Sequence, residues 1–104
     1  MIRIFNSKKE ALEKVRLNTA IKIDAGGYRI CIVNSKDNLY AVQDSCPHLG
    51  EGLHKGTVNY LNEIVCPWHS YRFNLLSGEE SERRCKDAKI YVLEINDMGV
   101  FVKI

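Results

Sequence analysis

The chain predicts an all-β fold, a small antiparallel sandwich or incomplete barrel with one short N-terminal helix. Three observations carry that prediction. Apolar runs of only a few residues recur along the 104 positions, rich in Ile, Val, Tyr and Phe. Turn signals separate them at Gly26-Gly27, Lys36-Asp37-Asn38, Leu61-Asn62, Ser77-Gly78 and Asn96-Asp97. One stretch alone carries a helix start: in Ser7-Lys8-Lys9-Glu10 the Ser and Glu side chains can satisfy each other's backbone donors as a capping box. The length suits one domain over residues 1–104, with a core of modest size.

The elements follow in order. Residues 3–5 form a short first strand, and a helix runs from the capping box to about Lys14 with Ala11, Leu12 and Val15 inward. Ile21 and Ile23 alternate with Lys22 and Asp24 as a strand, and Gly26-Gly27 turns the chain into a hairpin. The strand over 28–34 has the apolar centre Ile30-Cys31-Ile32-Val33, apolar on both faces, so it is expected to be the most buried. A strand over 39–43 pairs with it. Residues 57–60 and 63–65 form a hairpin, 71–75 a further strand, and 89–95 with 98–104 a final hairpin. Residues 79–87 carry Glu, Arg and Lys without apolar periodicity and read as a solvated surface loop.

Composition narrows the function classes. Lys plus Arg number 15 and Asp plus Glu 13, a net charge of +2 without a concentrated basic patch, which argues against nucleic acid. No apolar run reaches the ~18 residues of a membrane span, and the first residues lack the long apolar segment of a signal peptide. The expectation is a cytoplasmic chain with no membrane partner. That setting disfavours disulfides, so the four Cys are not read as two bridges. Cys31 reads as a small buried apolar residue. Cys85 falls in the polar loop, and a Cys31–Cys85 bridge is possible by arithmetic alone.

The pattern that carries chemistry is Cys46-Pro47-His48, then 17 residues, then Cys66-Pro67-Trp68-His69. Thiolate and imidazole are the soft ligands of protein metal sites, and two compact pairs of them form a metal-binding signature. Pro after each Cys fixes φ in a tight loop. Two chemistries are open at this point. One is a structural zinc site, although zinc fingers usually pair Cys with Cys and His with His. The other is a two-iron cluster with mixed ligation. His54 lies outside both spacings and reads as a surface histidine.

C-x-H-x17-C-x2-H resembles the Rieske [2Fe–2S] motif, in which one iron takes both Cys and the other both His. The resemblance extends to His48-Leu49-Gly50, to residues 66–73 and to Ser77-Gly78, as in the Rieske-type ferredoxins that serve bacterial oxygenases. It implies an inserted cluster-binding subdomain over about residues 44–73, with Cys46, His48, Cys66 and His69 as ligands of a [2Fe–2S] cluster. It implies a one-electron carrier rather than an enzyme, with a reductase and a terminal oxygenase docking transiently near His48 and His69. A small subunit of a nitrite-reductase-like complex, or a zinc-stapled interaction module, are the alternatives. Trp68 is expected to shield the cluster and shape the docking face.

Departures from the family pattern are informative. In the cytochrome-complex type a disulfide joins the two loops; its positions here hold Glu51 and Trp68. The Ser and Tyr hydroxyls of that type are replaced by Tyr71 and Phe73. In the ferredoxins the stretch after Ser77-Gly78 folds over the cluster and is often Pro-rich. Arg83-Arg84-Cys85 stands there instead, so what stiffens this lid is not readable from the residues.

Overall fold

The computed structural model describes all 104 residues as ten strands in three antiparallel sheets with one short helix. In chain order the first half comprises β1 (Ile2–Phe5), α1 (Lys8–Lys14), β2 (Thr19–Ala25), β3 (Tyr28–Ser35) and β4 (Asn38–Gln43). A 3-10 turn over Leu53–Lys55 precedes β5 (Thr57–Val58), β6 (Glu63–Val65) and β7 (Arg72–Asn74). The chain closes with β8 (Ile90–Tyr91), β9 (Leu93–Asn96) and β10 (Gly99–Val102). The sheets are ordered β1-β10-β9, β2-β3-β4-β8 and β5-β6-β7.

The middle sheet is apolar on both faces because side chains alternate along a strand. In β3, Ile30 and Ile32 face one core with Phe5, Ala11, Val15, Val100 and Val102. Cys31 and Val33 face a second core with Leu53, Ile64, Phe73 and Leu75. Strand β4 repeats the division, Ala41 on the first side and Val42 on the second. All four of the β3 residues 30–33 are fully buried, as the unbroken apolar run predicts. The first core joins the middle sheet to β1, β10 and the helix. The second joins it to β5-β6-β7 and the two Cys-Pro loops.

Local chemistry explains the connections. Gly26 and Gly27 have φ of +57° and +83°, a pair of left-handed residues suited to a two-residue hairpin turn. Lys36 and Asp37 adopt the same sign without glycine, φ +55° and +65°. Buried Asn34 helps hold that turn: its Oδ1 accepts from the Asp37 N–H at 3.0 Å, while its Nδ2 donates to the Val15 carbonyl at 2.8 Å. The helix is capped by Ser7, whose Oγ accepts from the Glu10 N–H at 3.0 Å. The reciprocal half of the capping box differs from expectation. The Glu10 carboxylate accepts from the backbone and side chain of Asn6, one residue further back.

Three predicted strands are shorter or broken. Residues 89–95 do not form one strand: β8 pairs with β4 in the middle sheet and β9 with β10, so the chain changes sheets at exposed Val92. The hairpin over 57–65 pairs only at its base, because Asn59 Oδ1 accepts from the N–H groups of Leu61 and Glu63 and turns the chain early. Strand β7 stops at Asn74, whose Oδ1 accepts from Leu76 and Ser77 in the same way. No helix is long and apolar enough to cross a membrane.

The two-sided middle sheet yields a direct test. Ile32→Ala removes a fully buried side chain from the first core and is expected to cost about 2–5 kcal/mol in urea unfolding. Val92→Thr, at the exposed crossing between sheets, is expected to stay within about 0.5 kcal/mol.

Candidate metal centre

Two loops rise from the second core. The first is pinched at its base by a Ser45–Gly52 bridge, and the Cys46 N–H donates to the Glu51 carbonyl at 2.8 Å. The Gly50 N–H donates back to the Cys46 carbonyl at 2.8 Å, with Gly50 at φ +80°. The second loop is closed by the Cys66 N–H donating to the Tyr71 carbonyl at 2.8 Å. Between them His69 and Ser70 are left-handed, φ +63° and +55°, an uncommon state for non-glycine residues that the closed loop imposes.

These loops bring the four sequence-predicted donors together as two pairs. Cys46 and Cys66 are both buried and adjacent. Burial pushes the Cys66 thiol up to about 11, a backbone N–H from Trp68 opposing the shift and neighbouring Cys46 adding to it. The imidazoles of His48 and His69 lie 5.4 Å apart between ring centroids, tilted by 60°. His69 is exposed and His48 half-buried. His48 Nδ1 is buried and meets no hydrogen-bond partner in the protein. No three His, Cys, Asp or Glu side chains converge as ligands of a single ion. Cys31 and Cys85 are free thiols; Cys31 lies in the second core and Cys85 packs at its edge.

The charged segment 79–87 is the largest correction to the sequence reading. It is not a solvated loop throughout, because the Glu80 side chain is fully buried. Its carboxylate accepts from the backbone N–H groups of Arg72, Glu82 and Arg84 and from the Ser81 hydroxyl. It also binds the Arg84 guanidinium with two bonds, 3.0 Å from Nε and 2.6 Å from Nη2. The Arg84 side chain, followed by these backbone donors, holds the Glu80 carboxyl far below the ordinary carboxylate range. Arg84 lies 3.9 Å over the Tyr71 ring, and Tyr71 in turn stacks on His48 at 3.9 Å with 8° between planes. The segment folds back over the site as a lid stiffened by an ion pair. The Glu80…Arg84 spacing was the available signal, hidden among five other charges in residues 79–87.

Two further residues depart from expectation. His54 is not a bare surface histidine: its backbone N–H and Nδ1 both lie 2.9 Å from Oδ1 of buried Asp44. Gly52 makes room for that pair, since a Cβ there would sit 2.8 Å from the His54 ring. Trp68 is exposed and meets His69 edge-on at 6.0 Å, so the ring covering His48 is Tyr71. Leu53, in the 3-10 turn between the two loops, is fully buried in the second core.

Comparison with known proteins places this arrangement. The Rieske [2Fe-2S] domain family matches residues 8–96, and the chain belongs to that family. It is 26% identical over 94 residues to the ferredoxin component of the naphthalene 1,2-dioxygenase/salicylate 5-hydroxylase systems of a Ralstonia species, covering 89% of each chain. It is 36% identical over 62 residues to the cholesterol 7-desaturase of Bombyx mori, covering 59% of this chain but only 14% of the desaturase's length. The solved ferredoxin of carbazole 1,9a-dioxygenase from Nocardioides aromaticivorans IC177 shares the fold, with a TM-score of 0.82 and 21% identity over 98% of this chain and 97% of that one.

The cofactor of a Rieske domain is a [2Fe–2S] cluster. The donor chemistry fits it. The Cys66 thiol, buried beside Cys46, faces costly ionisation unless a metal replaces its proton. The partnerless Nδ1 of His48 is a buried nitrogen awaiting an acceptor of its lone pair.

The buried carboxylate gives the second prediction. Glu80→Ala leaves three backbone donors and a guanidinium without their acceptor, an expected loss of about 3–5 kcal/mol. Because the folded-state carboxyl is depressed, its contribution is present above its ordinary value of 4.5 and is lost as pH falls below it. Unfolding stability of the native chain is therefore expected to fall more steeply from about pH 5 to 3 than that of Glu80→Gln.

Proposed function

We propose that the chain is a one-electron carrier in which Cys46 and Cys66 hold one iron of the cluster and His48 and His69 the other. The observation that carries this reading is the layout of the donors in two pairs, thiols buried and His69 at the surface. When bound, the cluster supplies a one-electron couple, and two neutral imidazoles in place of two thiolates favour the reduced state. The chain's own part is to hold both loops rigid, to exclude water from the thiols and to present the imidazole edge. A zinc-stapled module would need the donors gathered on one point, which the paired arrangement disfavours.

The donor and acceptor are read as a reductase and a terminal oxygenase. The ferredoxin component of a dioxygenase system supports this by sequence, and a similar ferredoxin fold occurs in a complex of oxygenase and ferredoxin. Exposed Leu49 and Trp68 flank the histidines and share a shallow cavity with Gly50 and Glu51. This face suits a small, transient interface. Arg72 is a poor contributor to it, because its Nε donates to Ser81 Oγ at 3.2 Å.

Purified protein tests the ligand assignment. We expect a red-brown chain with two irons and two sulfides, and a Rieske EPR signal on reduction. His48→Ala and His69→Ala should each abolish that signal, while His54→Ala should keep it; a colourless zinc protein would overturn the reading. Docking has its own readout. Glu51→Lys should change the on-rate with a native partner and its salt dependence, with the spectrum intact, because rim charges act on encounter.

A further inference from the structure

Tyr71 is clamped between a charge and a proposed ligand. One face of its ring lies 3.9 Å from the Arg84 guanidinium, the other 3.9 Å from the His48 imidazole. The guanidinium is not free to leave, since both of its bonds to Glu80 end on a fully buried carboxylate. The order along the stack is therefore fixed as carboxylate, guanidinium, phenol ring, imidazole. The charge that meets the Tyr71 ring is the guanidinium. Arg84 also approaches Glu82 at 3.4 Å, but that carboxylate is largely exposed and screened by water.

We propose that Arg84, anchored by Glu80 and acting through Tyr71, is a positioning residue that tunes the reduction potential of the His-ligated iron. The inference rests on the ligand assignment proposed above. Two physical effects combine. The near-parallel ring contact fixes the plane of the His48 imidazole and shields that face from water. The oriented ion pair places positive charge two ring contacts away from the iron that His48 would hold, across a path filled by the Tyr71 ring rather than solvent. Charges separated by protein interact more strongly than across water, so the added electron is stabilised. The stack thus raises the potential. It does so where the cytochrome-complex type uses a Ser and a Tyr hydroxyl, places held here by Tyr71 and by Phe73, which has no hydroxyl.

Voltammetry on the cluster-loaded protein tests the proposal, with visible and EPR spectra as controls. Arg84→Met keeps much of the contact with the ring and removes the charge. Its reduction equilibrium should be at least threefold weaker, a downward shift of about 28 mV at ~59 mV per tenfold for one electron. Arg84→Lys restores a cation and should recover most of that shift. Glu80→Gln removes the countercharge and should move the potential upward. Opposite signs for the two neutralising variants cannot come from loosened packing. An Arg84→Met potential equal to that of the native protein, or an equal drop in Arg84→Lys, overturns the proposal. If Arg84→Met fails to load a cluster, Glu80→Gln decides: a rise supports the proposal, and no change or a fall overturns it. Failure of the native chain to show a Rieske spectrum would instead sink the ligand assignment.

Discussion

A single buried carboxylate holds the functional half of this protein in shape. Glu80 gathers three backbone donors, a hydroxyl and a bidentate guanidinium. An isolated buried carboxylate would be strongly disfavoured, and only this full shell of donors makes its place tenable. The shell ties together parts of the chain that local propensity would leave apart. Through Arg72 it pins the start of β7, which leads out of the second Cys-Pro loop. Through Ser81, Glu82 and Arg84 it folds the charged segment on itself, and through Arg84 and Tyr71 it reaches His48. A segment with no apolar side chain to bury apart from Cys85 is thereby ordered over the site.

This explains how the chain manages without proline in its lid. Proline stiffens a segment by restricting φ in folded and unfolded states alike, which lowers the entropy lost on ordering. An ion pair does nothing for the unfolded chain and must supply the ordering free energy in the folded state alone. The carboxylate can do so because it is desolvated and its acceptor sites are filled, conditions that surface ion pairs such as Arg83–Glu79 do not meet. The same chemistry makes the lid sensitive to acid in a way that a proline lid is not.

The legible parts of the sequence were those governed by short-range rules. Alternation marked β2, Gly26-Gly27 marked the turn after it, and the run Ile30-Cys31-Ile32-Val33 announced a strand buried on both sides. The grouping of Cys46, His48, Cys66 and His69 was legible because two short Cys-Pro motifs space them tightly. What stayed hidden depends on partners distant in the chain. Asp44 and His54 are ten residues apart, and nothing local reveals that one carboxylate takes both the backbone and the ring of the other. Glu80 and Arg84 have helix-like i,i+4 spacing but sit in no helix, so their pairing is a product of the lid's shape. Residues 89–95 look like one strand because the change of sheet at Val92 leaves no turn residue behind.

The two cores divide the work of the molecule along one sheet. Odd-numbered residues of the β3 centre close the rear of the thiol pair together with Leu53, Ile64, Phe73 and Leu75, all packed without exposure to solvent. Even-numbered residues of the same strand lock that wall to the helix and to β10. A wall of this kind resists displacement when the charge of a bound group changes, because close-packed interiors yield little. The exposed edge of the site bears His69, Leu49 and Trp68. On the proposed reading an electron enters and leaves by that edge. Donor and acceptor then compete for one face and cannot be bound there together. Such a carrier has to dissociate between its two partners, and a shallow cavity flanked by two isolated apolar side chains is suited to contacts that form and release.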